Sequence, residues 1–147
     1  MQRRHAATGP RARSPRDSGA AAVEFALLLP VLLLLIFGIV DFGRALNAQI
    51  TLTQAAREGA RLASLGVPSA TVISRTQAAA TELSPVPSVA VSSTCPVNAG
   101  AGVDAVVTVT YTFTFITPVG AFASMFGTPS FGSTLTLTAT GEMPCET

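Results

Sequence analysis

An apolar run from residue 20 to residue 40 dominates the hydrophobic pattern of this chain. Its positions are all apolar or small, except for Glu24 and Pro30. At ~1.5 Å per residue the run gives roughly 30 Å of helix, which matches the hydrocarbon core of a bilayer. We therefore predict a transmembrane helix over 20–40. Pro30 removes one backbone donor inside it, which predicts a helix kink at that point.

Helical spacing continues past the apolar run to about residue 65. The residues predicted to share its apolar face are Leu46, Ile50, Ala56, Ala60 and Ala63. Glu58 and Arg61 stand three positions apart on the polar flank, so we expect them to form an ion pair. Gly66 is the expected C-cap. The apolar face can pack against this chain's own sheet, against other subunits, or against both.

A second, shorter helix is predicted over residues 69–83, after a turn at residues 67–69. Its expected buried positions are Val72, Ile73, Ala80 and Leu83. The stretch 84–87 (Ser-Pro-Val-Pro) contains two prolines, which end the helix.

From residue 88 the period changes to two, which is typical of strands. Val89 and Val91 predict a short strand, and a long alternating run follows over 103–116. The inward positions of that run are Ala105, Val107, Val109, Tyr111, Phe113 and Phe115. A last strand is predicted over 133–141, with Leu135, Leu137 and Ala139 inward. Between these two strands, Thr117 and Pro118 predict the start of a short helix that contains Phe122 and Phe126 and ends at Gly127.

The predicted fold class is therefore α+β: a long N-terminal transmembrane helix that extends outside the membrane, a second short helix, and a small antiparallel sheet. The expected division is a basic cytoplasmic leader (1–19), the membrane helix (20–40), its extracytoplasmic continuation (41–66) and a small α+β ectodomain (67–147). An ectodomain of this size has little core, so a covalent crosslink would help to stabilise it.

Charge is distributed unevenly along the chain, although the net charge is only +1. All of the nine basic residues are arginines, and five of them precede the apolar run. The positive-inside rule therefore places the N-terminus in the cytoplasm and residues 41–147 outside. No basic patch remains after the run, which argues against nucleic-acid binding.

The two cysteines, Cys95 and Cys145, both follow the apolar run. With this topology they face an oxidising compartment, so a disulfide is favoured over two unpaired thiols. A metal site is not expected, because the single histidine, His5, lies in the leader. Without a histidine outside the leader, no Ser/His or Cys/His catalytic pair is expected, and the sequence contains no phosphate-binding loop motif. We therefore expect no enzyme activity, no cofactor and no small-molecule substrate.

Four sequence pieces, in order, resemble the N-terminal module of TadE-like proteins, the pseudopilins of tight-adherence (Flp-type) pilus systems. They are A-V-E-F (22–25), the mid-span Pro30, F-G-I-V-D-F-G-R (37–44) and A-A-R-E-G-A-R (55–61). The resemblance covers about residues 16–66. The family-motif residues carried by the last two pieces are Asp41, Arg44, Arg57, Glu58 and Arg61. The residue after Glu24 is Phe25, where the major pilins of this system carry tyrosine, and this favours a minor pseudopilin.

The resemblance implies a prepilin-type processing site, with cleavage between Gly19 and Ala20 by a prepilin peptidase. Glu24 would then be the fifth residue of the mature chain and, with Phe25, would form the assembly contact with a neighbouring subunit. An acid within a membrane helix is costly unless it meets a positive partner or reaches the headgroup layer. The implied partners are the membrane, the peptidase, other pilin-like subunits and the pilus assembly machinery, in the cytoplasmic (inner) membrane or at the cell surface.

Three alternatives stay open at this point. The chain could be an unprocessed single-pass membrane protein with a small extracytoplasmic binding module. It could instead be a secreted protein cut near Ala48, with the apolar run as its signal peptide. Within the tight-adherence systems, a TadG-like member is also compatible with these motifs.

Overall fold

The fold is α+β, as the sequence predicted. The computed structural model describes residues 15–96, 102–117 and 134–145, with side chains from residue 19. Its elements, in chain order, are α1 (Pro15–Ser64), α2 (Ser69–Ala78), β1 (Ser88–Ser93), β2 (Asp104–Thr114) and β3 (Thr134–Pro144). The short helix predicted from Pro118 to Gly127 and most of the basic leader lie outside the described residues.

Contacts between residues divide the chain into two units, with the boundary between Ile36 and Phe37. The first unit is the N-terminal part of α1, and its apolar side chains are exposed. Among the described residues, α1 is the one helix long and apolar enough to cross a membrane, and its best window has a mean hydropathy of 2.8. This finding is compatible with single-pass membrane anchoring.

The second unit, from Phe37 onward, includes the C-terminal part of α1. It contains the predicted ectodomain, and we use that name for the unit below. The buried face of this part of the helix is made almost wholly of alanine: Ala48, Leu52, Ala55, Ala56, Ala60 and Ala63. We call these six residues the alanine seam. The predicted face was partly wrong, because Leu46 and Ile50 are 49% and 58% exposed. Five of the six seam residues are alanines, which lets this part of the helix lie close to the sheet, and Leu52 is the one large residue among them.

That close approach is visible at two glycines. A Cβ atom on Gly141 of β3 would lie 2.6 Å from the carbonyl carbon of Ala56. A Cβ atom on Gly59 would lie 3.0 Å from Cγ1 of Val107 and would also meet the hydroxyl of Thr76. Real side chains do not tolerate the first of these distances, so the helix and the sheet can pack this tightly only with glycine at these positions.

Helix α1 ends at Ser64, and Gly66 caps it as the sequence predicted. This glycine has φ of +70°, a conformation that glycine adopts without the steric penalty of a Cβ atom. Its N–H donates to the carbonyl of Ala63 (3.1 Å), and the N–H of Val67 donates to that of Leu62 (3.3 Å). These two bonds form the Schellman arrangement, which satisfies the last carbonyls of the helix.

Helix α2 is shorter than predicted, since it ends at Ala78 rather than near residue 83. Beyond it the chain turns through bonds of three-residue spacing, from Ala80 N–H to Gln77 and from Leu83 N–H to Ala80. These turns still bury Ala80 and Leu83. The predicted burial of these two residues is therefore confirmed, although they lie beyond the end of the helix. Val72 is buried as predicted and Ile73 is half-buried. Thr76, which was not predicted, is fully buried and donates its hydroxyl to the carbonyl of Val72 (2.8 Å).

The sheet is antiparallel with strand order β1-β2-β3. Strand β2 alternates as predicted, and its buried residues are Ala105, Val107, Val109, Tyr111 and Phe113. Phe115 is half-buried and lies just past the end of the strand. Strand β3 runs three residues beyond the predicted end, because the pairing of Asp104 with Pro144 extends the ladder. The prediction for Leu135 was wrong, since it is 43% exposed at the far end of that ladder.

Candidate functional site

The predicted processing and assembly residues lie near the start of α1. Gly19 and Ala20 are helical, and Glu24 and Phe25 follow them with exposed side chains. No described atom outside the adjoining helix lies within 4 Å of a Cβ atom placed on Gly19. These four residues therefore stand on an accessible helical surface. Their proposed roles stay predictions.

Pro30 lies inside α1, and the helix is assigned without a break through it. The chain thus tolerates the missing donor within one continuous element. The predicted kink at this residue stays a prediction.

Asp41 is a family-motif residue whose burial and hydrogen-bond partners were not predicted from the sequence. Its carboxylate is only 2% exposed and accepts bonds from a segment 75 residues away. The backbone N–H of Ile116 donates to Oδ1 (3.4 Å), and the N–H and hydroxyl of Thr117 donate to Oδ2. The carboxylate therefore fixes the chain just after β2 to the side of α1, and we call this arrangement the Asp41 clamp.

Arg44 completes the clamp from the same helix. Its Nη1 lies 3.2 Å from Oδ1 of Asp41, and its guanidinium carbon lies 5.1 Å from the ring centroid of Phe113. The cation–π geometry and the ion pair hold one side chain between the helix and β2. The motif residues Asp41 and Arg44 thus act together, as a link between α1 and the sheet.

The clamp sets the ionisation of Asp41. Burial raises the pKa of this carboxyl, but the bonds from Thr117, Ile116 and Arg44 together outweigh burial, so the pKa is lowered below its ordinary value. A lowered pKa in the folded state means that the charged form stabilises the fold. That stabilisation is complete above the ordinary aspartate pKa of about 3.9 and is lost as the pH falls through the folded pKa.

We therefore predict that the ectodomain loses stability in acid through Asp41. Asp41→Asn should lower the free energy of unfolding at neutral pH by about 2–3 kcal/mol, because bonds to a charged acceptor are replaced by weaker or mismatched ones. It should also flatten the decline in stability below about pH 5. Urea unfolding of the full chain in detergent would measure both effects, with fluorescence of Tyr111, the only tyrosine in a chain without tryptophan, as the signal.

Asp104→Asn is the matched control for this prediction. Asp104 is also an aspartate of the ectodomain, but its side chain is exposed. Its replacement should leave both the neutral-pH stability and the acid decline close to those of the wild type. An Asp41→Asn variant that declines in acid as steeply as the wild type would contradict the assignment to this carboxylate.

The remaining motif residues lie on the exposed flank of α1. Glu58 and Arg61 form the predicted pair, with contacts of 3.0 and 3.1 Å between the guanidinium and the carboxylate. The bond from Arg61 lowers the pKa of Glu58 and correspondingly raises the pKa of Arg61. Arg57 is exposed beside them. An exposed pair of this kind contributes little to stability.

Cys95 and Cys145 are joined by a disulfide, with their Cα atoms 5.5 Å apart. The N–H of Cys95 also donates to the carbonyl of Ala63 (3.1 Å), and that of Cys145 donates to Val103 (2.9 Å). The bridge thus connects the end of α1, the segment after β1 and the segment after β3. It closes the ectodomain at the opposite end of the helical segment from the Asp41 clamp.

In the described part of the chain, no group of three His, Cys, Asp or Glu side chains is placed to hold a metal ion. A cleft of about 580 Å³ does lie beside the clamp. Its walls come from α1, from the turn after α2 and from β2, and they include Arg44, Glu82 and Phe113. The cleft is mixed in character, with one cation, one carboxylate and several apolar side chains.

Comparison with known proteins gives one match. No curated protein and no solved structure matches the chain. The family model described as "TadE-like protein" matches residues 19–61. This segment contains the exposed residues from Gly19 to Phe25, the Asp41 clamp residues of α1 and the Glu58–Arg61 pair. The resemblance to the TadE-like family that the motifs predicted is therefore confirmed over residues 19–61 of this chain.

Proposed function

We propose that this protein is a TadE-like minor pseudopilin, a membrane-anchored structural component in the assembly of a tight-adherence (Flp-type) pilus. The family match over residues 19–61 is the observation that carries this proposal. In the proposed topology the N-terminus is cytoplasmic, residues 20–40 span the inner membrane and the ectodomain lies outside. The role is structural rather than enzymatic.

Processing is the first part of the proposal: a prepilin peptidase cuts between Gly19 and Ala20. The cleavage site lies close to the start of α1 at Pro15. The Gly19–Ala20 bond lies in the second turn of α1, and helix ends fray at low cost, so opening of the first two turns would admit a peptidase. The segment that the family model matches begins at Gly19, one residue before the proposed mature N-terminus at Ala20.

Assembly through the helix surface is the second part. Glu24 and Phe25 are exposed within the anchor, and a carboxylate there needs a positive partner. The free α-amino group of a neighbouring processed subunit would supply it. Beyond the predicted span, Phe42, Leu46 and Ile50 form an apolar stripe at four-residue spacing, and they are 66%, 49% and 58% exposed. The corrected position of Leu46 and Ile50, facing away from the sheet, makes them available to neighbouring pilin-like subunits.

The N-terminus of the mature protein, measured by mass spectrometry on membranes, tests the processing step. We expect the wild type to begin at Ala20 and Gly19→Ala to retain its leader. Glu24→Ala should be cut normally yet fail to support piliation, since it removes the assembly contact without touching the bond to be cut. Cleavage and piliation are thereby measured separately.

Glu58→Ala provides the matched control, because Glu58 is a half-exposed glutamate of the same helix outside the predicted span. It should be processed and should retain more of its piliation than Glu24→Ala. Normal piliation in Glu24→Ala would argue against the assembly contact. A wild-type protein beginning at Met1 would favour the unprocessed single-pass alternative, and a soluble product beginning near Gln49 would favour the secreted one.

A further inference from the structure

The cleft beside the Asp41 clamp has a composition that the proposed pilus function does not explain. It lies wholly within the ectodomain unit and has a volume of about 580 Å³, which is within the roughly 300–1,000 Å³ typical of small-ligand sites. The lining residues that matter here are Ile39, Val40, Arg44, Glu82, Tyr111 and Phe113. They combine an apolar edge, one cation, one carboxylate and two aromatic rings.

The position of the cleft along α1 places it at the membrane surface. The predicted span ends at Val40, and Arg44 lies four residues further along the helix, which is about 6 Å at 1.5 Å per residue. The headgroup layer on each side of a bilayer is about 5–8 Å thick. In the proposed topology, Ile39 and Val40 would therefore line the cleft at the level of the uppermost acyl carbons, and Arg44 would line it at the level of the lipid phosphates.

The cleft is lined by charged residues of both signs, Arg44 and Glu82. Arg44 is held by Asp41 at 3.2 Å and by the ring of Phe113 at 5.1 Å, yet its side chain remains 41% exposed. A guanidinium has five N–H donors in a planar fork, so a carboxylate on one side leaves donors for a phosphate on another. Glu82 is exposed in the turn after α2 and supplies a carboxylate for an ammonium group.

The wall of the cleft formed by β2 and the turn after α2 is held together by a hydrogen bond. Tyr111 is 7% exposed, and its hydroxyl donates to the carbonyl of Ser84 (3.0 Å), which ties the turn that carries Glu82 to strand β2. The backbone beside Glu82 is therefore held against strand β2, and the ring of Phe113 on the same strand packs under Arg44. Both charged residues thus belong to elements anchored to β2, which limits the rearrangement needed to bind a ligand.

We propose that this cleft binds the headgroup of a zwitterionic phospholipid with a primary ammonium, that is, a phosphoethanolamine headgroup. Arg44 contacts the phosphate, Glu82 accepts from the ammonium, and the acyl chains leave past Ile39 and Val40 into the bilayer. A purely anionic headgroup satisfies Arg44 but leaves Glu82 facing a negative charge. The inference rests on the membrane anchoring in the proposed function, but not on processing or on pilus assembly.

The test uses the full chain, reconstituted in nanodiscs that contain equal amounts of phosphatidylethanolamine and phosphatidylglycerol. After extraction in mild detergent, native mass spectrometry counts the lipid that remains bound. We expect phosphatidylethanolamine to be retained about tenfold over phosphatidylglycerol, as the energy of one charge-assisted bond implies. Equal retention of the two lipids would overturn the proposal.

Two variants separate the two charges of the headgroup. Glu82→Gln should abolish the preference between the lipids while phosphate binding persists, and Arg44→Gln should reduce retention of both lipids by about tenfold. The matched controls are Glu58→Gln and Arg57→Gln, which change the same residue types on the exposed flank of α1 and should leave retention unchanged. A Glu82→Gln protein that keeps the wild-type preference would overturn the assignment, and Glu82 is exposed, so this variant does not depend on the folding of the clamp.

Soluble phosphoethanolamine identifies the source of the headgroup. Added to delipidated protein, it should bind at least about tenfold more weakly than the lipid, because it lacks the chains that pack on Ile39 and Val40. Binding as tight as that of the lipid would overturn the assignment to a membrane lipid. Failure of the chain to enter nanodiscs would instead contradict its anchoring, and stable insertion without lipid preference would contradict this inference alone.

Discussion

Gly141→Val should be among the most destabilising single substitutions in this protein, lowering the free energy of unfolding of the ectodomain by about 3 kcal/mol or more. Even the first added carbon would lie 2.6 Å from the carbonyl carbon of Ala56 and 3.0 Å from the amide nitrogen of Arg57. Both are backbone atoms of α1, which cannot rotate away as a side chain can. The helix must therefore move off the sheet, and the alanine seam opens along its length.

Thermal unfolding of the full chain in detergent, followed by Tyr111 fluorescence, would measure this effect. A loss of about 3 kcal/mol corresponds to a midpoint lower by more than roughly 10 °C for a domain of this size. Gly43→Ala is the matched control, because a Cβ atom on Gly43 would meet no described atom outside the adjoining helix within 4 Å. It should be neutral or stabilising by about 0.5–1 kcal/mol, as is usual for alanine in a helix. Equal midpoints for Gly141→Val and the wild type would show that the helix does not lie this close to the sheet.

Removal of the disulfide should have a comparable or larger effect. Cys95 and Cys145 are 50 residues apart, and closing a loop of that length restricts the unfolded chain by about 4 kcal/mol in the chain-entropy estimate. Cys95→Ser, Cys145→Ser and the double variant should each lose about 2–5 kcal/mol. Urea unfolding with and without a reducing agent would measure the loss, and the reduced wild type should match the double variant.

The comparison of single and double variants controls for the substitution itself. Because either serine already breaks the bridge, the second substitution should add little, and a strictly additive double variant would contradict a shared bond. A wild type whose unfolding midpoint is unchanged by complete reduction would contradict a stabilising role for the bridge. Since the other predictions concern residues outside this bridge, they should hold in the oxidised protein irrespective of this result.

The elements that were predicted well are those whose signals are local. The apolar run of 20–40 has no plausible interpretation other than a long helix, and the period of two in β2 identified each of its buried residues. The cap at Gly66 and the Glu58–Arg61 pair depend on spacings of a few residues. Each of these follows from the geometry of one element, with no knowledge of what packs against it.

The errors arise where a distant segment decides the outcome. Leu46 and Ile50 are more hydrophobic than alanine, so hydrophobicity alone placed these two residues wrongly on the buried face, whereas Ala56, Ala60 and Ala63 were placed correctly. The close approach of β3, seen where Gly141 meets the backbone of Ala56, favours small residues on this face. Asp41 was identified as a motif residue, but its burial depends on donors at Ile116 and Thr117, about 75 residues later in the chain. No local pattern marks such a partner.

The alanine seam also determines which kinds of sequence change this ectodomain tolerates. Alanine has no side-chain torsion to immobilise, so five of the six seam residues become ordered without loss of rotamer entropy. Truncation, the commonest way to damage a core, has little to remove there, since only the methyl group of each alanine can be lost. Enlargement is the harmful direction, because the seam residues are enclosed at 0–3% exposure and β3 already approaches the backbone of Ala56 at Gly141. The alanine seam should therefore exclude substitutions to larger residues, while the hydrophobicity of the replacement matters much less.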